Sequence, residues 1–94
     1  MSIKAEITKT TKRFSTWVEG TVGCYQFEAK VYDEGSTAGI NKSRTAKISI
    51  WDEAARETQP FDEACIIQYN GEEWVVKPNQ DTQPYLDAVL ELFQ

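Results

Sequence analysis

Between Tyr25 and Tyr32 apolar and polar residues alternate without a break. Tyr25, Phe27, Ala29 and Val31 share one face, and Gln26, Glu28, Lys30 and Tyr32 share the other. A period of two belongs to a strand buried on one side only, so the stretch calls for an antiparallel sheet with one wet face. Residues 14–22 lead into it through Val22-Gly23-Cys24 and read as the other arm of a hairpin. Gly20, inside that arm, marks a bulge or a close backbone contact.

The flanking segments extend the sheet. Residues 2–9 alternate, with Ile3, Ala5 and Ile7 against Lys4, Glu6 and Thr8, and form a first strand suited to an edge. Thr10 to Arg13 is a polar connection. Thr45 to Trp51 alternates again, placing Ala46, Ile48 and Ile50 on one side. Asp52 then caps a short helical turn, with acids near its N-terminus, which Gln59-Pro60 ends because the residue before proline is pushed out of the helical region.

Ala64–Tyr69 and Glu72–Lys77 flank Asn70-Gly71, the strongest two-residue hairpin signal. That turn pairs Tyr69 with Glu72, Ile67 with Trp74 and Cys65 with Val76. A final helix is capped by Asp81 or Thr82 and carries Pro84 in its first turn. Its stripe of Leu86, Val89, Leu90 and Phe93 opposes Asp87 and Glu91. A helix of about 11 residues is marginal alone, so the stripe must pack on the sheet. The fold class expected is α+β: an antiparallel sheet of about five or six strands with one C-terminal helix on one face. The 94 residues make one domain, 1–94.

Composition bounds the function. The chain is 40% hydrophobic and includes three Trp, four Tyr and four Phe, enough for a core without disulfides. Its net charge of -5 lacks the basic footprint of a duplex nucleic-acid binder and suits a basic partner. Cys24 and Cys65 show no metal spacing and read as small buried hydrophobes in a reducing cytoplasm. The N-terminus lacks a secretory signal, and no stretch nears the roughly 18 apolar residues of a membrane span.

Catalytic motifs are missing. Without histidine the commonest general base and transition-metal ligand are gone. No phosphate loop is present, and Asp33-Glu34-Gly35-Ser36 lacks the alternating carboxylates of a calcium loop. The expectation is therefore no catalytic residue, no metal and no cofactor.

Segment 33–44 is the strongest candidate for a site. Loops of about 12 residues without regular structure are uncommon in compact domains. This one offers Asp33, Glu34, Ser36, Asn41 and Arg44, flanked by Tyr32 and Trp51. Arg44 suits a carboxylate or phosphate, which its planar fork grips in two places. The structural alternative pairs Arg44 with Asp33 or Glu34 inside the loop. Tyr32 and Trp51 fall on the face opposite Phe27 and Ile50. Exposed, they form a partner surface; otherwise the loop, or segment 52–62 with Phe61, folds over them.

Trp17-Val18-Glu19-Gly20-Thr21-Val22, Tyr25 to Ser36 and Gly39-Ile40-Asn41 resemble a family of small uncharacterised proteins of phages and prophages in Gram-positive bacteria. Tyr-Asp-Glu-Gly-Ser followed by Gly-Ile-Asn carries most of the resemblance, and Arg44 fills the place of the family's arginine. In the second half only Tyr69 and Trp74 of the family's hairpin are kept. The resemblance implies a small accessory gene of a mobile element, with no activity to carry over. Together these features lead to the expectation of a non-enzymatic protein-interaction module, with a phage-derived modulator of a host protein as its role. The alternative is a small-ligand or nucleotide binder that clamps with loop 33–44.

Overall fold

The computed structural model describes residues 3–12, 16–31 and 45–93. Six strands form one antiparallel sheet in chain order: β1 (Ala5–Lys12), β2 (Thr16–Val22), β3 (Tyr25–Val31), β4 (Thr45–Trp51), β5 (Cys65–Tyr69) and β6 (Trp74–Val76). Between β4 and β5 lie two single-turn helices, α1 (Glu53–Arg56) and α2 (Phe61–Ala64), and the described chain ends after α3 (Gln83–Glu91). The α+β class, the antiparallel sheet and the C-terminal helix are as the alternation requires. No helix among the described residues is long and apolar enough to cross a membrane.

Gly23 and Cys24 join β2 to β3. Gly23 has φ +60°, a conformation glycine adopts without a side-chain clash. This two-residue connection sets Val22 opposite Tyr25 and carries the register down to Thr16 opposite Val31. Gly20 sits opposite Phe27, and a Cβ there would collide with the Glu6 carbonyl oxygen and the Phe27 ring. The close contact is thus the reason for this glycine. The accompanying bulge lies in the neighbouring strand, between Ile7 and Lys9.

Two boundaries differ from the sequence pattern. β1 runs through Thr10, Thr11 and Lys12, which pair with Val18, Trp17 and Thr16; the ladder to β2 and the β-branched threonines keep this stretch extended although its alternation has lapsed. The β5–β6 connection spans four residues, and Tyr69 pairs with Trp74, not with Glu72. The Asn70 side chain accepts hydrogen bonds from the Glu72 and Glu73 N–H groups, both at 2.9 Å, which holds a wider turn. The wider turn brings the Tyr69 and Trp74 rings to 4.9 Å, within the range of favourable aromatic pairs.

The core lies between α3 and one face of the sheet. Val18, Val22, Phe27, Ala29, Val31, Ile48, Ile50 and Ile67 meet Leu86, Val89, Leu90 and Phe93, all buried. Each large apolar side chain so enclosed contributes roughly 1.5–3 kcal/mol, which gives α3 the partner that its length demands. Asn79 turns the chain into α3: its side-chain oxygen accepts from the N–H groups of Asp81 and Thr82 at 2.9 Å. The Thr82 hydroxyl accepts from the Asn79 N–H at 2.8 Å and makes no capping bond to the helix itself.

Candidate functional site

The other face of the sheet has a different make-up. Because side chains alternate along each strand, cross-strand partners share a face. One row on this side runs Lys9, Glu19, Glu28, Ser49, Gln68 and Val76. The next, two residues along the strands, runs Thr11, Trp17, Lys30 and Lys47. Like charges therefore stand directly opposite one another twice, Glu19 across from Glu28 and Lys30 across from Lys47. Such pairs oppose folding. The Lys47 stem leans toward the β5–β6 turn, where a Cβ on Gly71 would lie 3.3 Å from its Cε.

None of these four side chains has an ion-pair partner among the described residues, where the ion pairs are Lys4–Glu6 and Arg56–Glu53. Glu28 is partly buried, and desolvation pushes its carboxyl above the ordinary carboxylate range. The Glu19 charge adds to that rise, and the Arg56 charge opposes it. In the same row, the Gln68 side-chain oxygen is shielded from solvent and has no hydrogen-bond partner among the described residues. An acceptor left so typically costs about 1–3 kcal/mol.

A third row, Glu6, Thr21, Gln26, Trp51 and Cys65, is covered at one end. Segment 52–64 folds back over it and is closed by the Asp52 N–H donating to the Ala64 carbonyl at 3.0 Å. The Asp52 carboxylate caps α1 by accepting from the Ala54 N–H at 3.0 Å. Phe61 rests 5.2 Å from the Trp51 ring. The Arg56 guanidinium lies 5.4 Å from the Trp51 centroid and 4.9 Å from that of Phe61, within cation–π range. The Trp51 indole N–H donates to Glu53 at 2.6 Å. Beneath this cover Cys65 is buried, and burial pushes its thiol up to about 11.

Of the residues singled out for binding, Tyr32, Asp33, Glu34, Ser36, Asn41 and Arg44 lie outside the described residues, as does the whole loop 33–44. Trp51 is described and only 7% exposed, so it is a packing residue under segment 52–64 and not an open aromatic contact. Cys24 departs from expectation as well: it is exposed, because it stands at the tip of the two-residue β2–β3 turn and not within a strand. Among the described residues no group of three or more His, Cys, Asp or Glu side chains could hold a metal ion.

The charged rows were absent from the sequence reading. Their signal was nevertheless present in part. A two-residue turn at Gly23-Cys24 fixes Glu19 against Glu28 and Trp17 against Lys30 by counting outward. Lys47 is reached only through the β3–β4 register, which contains an irregularity between Lys30 and Val31.

A family model described as a domain of unknown function (DUF7678) matches residues 16–94. No curated protein and no solved structure matches the chain.

Proposed function

The chain belongs to the DUF7678 domain family, and we propose that it is a non-enzymatic protein-interaction module which binds through the sheet face opposite α3. The observation that supports this is the double opposition of like charges on that face, Glu19 with Glu28 and Lys30 with Lys47, none of them in an ion pair among the described residues. A monomer gains nothing from this pattern. A partner of opposite charge order would neutralise both rows, and close charge pairs at an interface give specificity and fast association. The resemblance of the Tyr32–Ser36 region to small phage and prophage proteins favours a modulator of a host protein as the role.

The test is a capture experiment with two baits, the unaltered chain and a Glu19→Lys/Glu28→Lys variant, after circular dichroism has shown both folded. A partner retained by the first bait and lost from the second supports the proposal. Equal capture by both, or a catalytic activity that survives in the variant, would remove it.

A further inference from the structure

The open sheet face is self-complementary. Its negative row, Glu19 and Glu28, lies beside its positive row, Lys30 and Lys47, at a distance of two residues along the strands, about 6.6 Å. Consider a two-fold axis parallel to these rows and midway between them. Rotation about it turns a second face over onto the first and exchanges the rows while keeping each strand above its own copy. Glu28 and Lys30 both belong to β3, so each then meets its opposite in the other chain. Glu19 comes to lie under Trp17 of the partner subunit, and Ser49 under Lys47 of the partner subunit.

Resting on the interaction-module reading and deepening it, we infer that the partner this face fits is a second copy of the same chain. The two sheets stack face to face, with Lys30 of each over Glu28 of the other. Two observations favour a copy over an unrelated protein. The pattern is closed under one two-fold operation, the symmetry of most homodimers. With Lys9 at the β1 edge, the two rows carry three positive and two negative charges, so the face is close to neutral although each chain carries -5 overall. At moderate salt, with a Debye length of about 10 Å, the long-range repulsion is screened while contacting pairs are not. Five strands about 4.8 Å apart and the two rows, about four residues at about 3.3 Å each, give roughly 300 Å² per copy. This is below the ~800 Å² per partner of a standard interface, so the dimer is weak and rests on its charge contacts more than on area.

Sedimentation equilibrium of the full chain from about 0.1 µM to 1 mM covers the affinities of weak dimers. In about 0.1 M salt the apparent mass is expected to rise from 10.7 kDa toward twice that value, and to fall back in about 1 M salt. Glu28→Lys alone and Lys30→Glu alone should each be monomeric, because each sets like charges against each other. An equimolar mixture of these two variants should dimerise again, since both contacts between positions 28 and 30 of the different chains then join opposite charges. Glu28→Gln and Lys30→Gln replace the reversals if either fails to fold, and each should weaken the dimer at least several-fold. A wild-type chain that stays monomeric at 1 mM, a dimer untouched by these changes, or a mixture that stays monomeric would overturn the inference. Monomeric protein that still captures a partner through this face refutes self-association alone and leaves the interaction-module reading standing.

Discussion

The two faces of the sheet are built from the same strands by the same alternation, yet they are held by different forces. Toward α3, Phe27, Ile50 and Ile67 are 0% exposed and meet other apolar groups. On the other side their chain neighbours Glu28, Ser49 and Gln68 are partly buried, charged or polar, and in two cases poorly paired. The first face stabilises the monomer. The second tolerates direct like-charge opposition, which the fold survives because the stabilisation on the first face is larger. The cover over Trp51 is an intermediate case: a small cluster of Trp51, Ala64 and Cys65 with Phe61 and Val76 against it, placed on the polar side.

Adjacent residues of β3 offer the sharpest test of this contrast. Phe27→Ala should cost about 3–5 kcal/mol in denaturant unfolding, and Glu28→Ala should stay within about 0.5 kcal/mol of the unaltered chain. Comparable losses at both positions would break the comparison. At the covered end of the polar face, Cys65 makes stability depend on pH. Its thiol keeps its proton in the fold up to about 11, whereas the unfolded chain releases it near the ordinary thiol value of 9.0. Above pH 9 the unfolded state thus binds fewer protons, and stability falls as pH rises. The loss is on the order of 2–3 kcal/mol by the time the folded thiol titrates. Melting curves under reducing conditions should show it, and Cys65→Ala should lack this component.

Smaller effects probe how the faces are joined. Gly20→Ala places a methyl group against the Glu6 carbonyl and the Phe27 ring; a loss of about 1–3 kcal/mol is expected, with β1 the first strand to lose amide protection in hydrogen exchange. Asp52→Ala removes the α1 cap and should cost about 1 kcal/mol, seen as earlier loosening of the Trp51 ring signals in NMR. Smallest is Glu28→Gln. The Glu28 carboxyl titrates above its ordinary range in the fold, so its ionisation disfavours folding as pH rises through that range. The amide should therefore raise the neutral-pH melting temperature slightly and flatten its dependence between acid and neutral pH. A lowered melting temperature would mean that the carboxylate is held by favourable contacts after all.

The strand identities, the α+β class and the apolar stripe of α3 were legible because a period of two or of 3.6 is a local property of the chain. So was the Asp52 cap, which acts within its own turn; Gly20 announced a bulge or a close contact, but strand pairing alone set it against Glu6 and Phe27. The hairpin at Asn70 shows where local signals stop. Asn-Gly marked the turn, but its width depended on the Asn70 side chain and on the attraction between Tyr69 and Trp74 across it. Segment 52–64 shows the same limit: Pro60 and the acids after it announce a break, but only the sheet decides that Phe61 and Arg56 settle on Trp51.

The candidate surface divides in the same way. Glu19 against Glu28 follows from a two-residue turn and could be counted from the sequence. Lys30 against Lys47 depends on pairing between strands separated by a long connection, and one irregular step in that ladder would send every side chain to the other face. The amino-acid sequence by itself determined which residues alternate and which stripe seeks cover, because those are patterns of neighbours. Only the tertiary structure decided which charges stand side by side on the open face, because register is set by packing between distant segments.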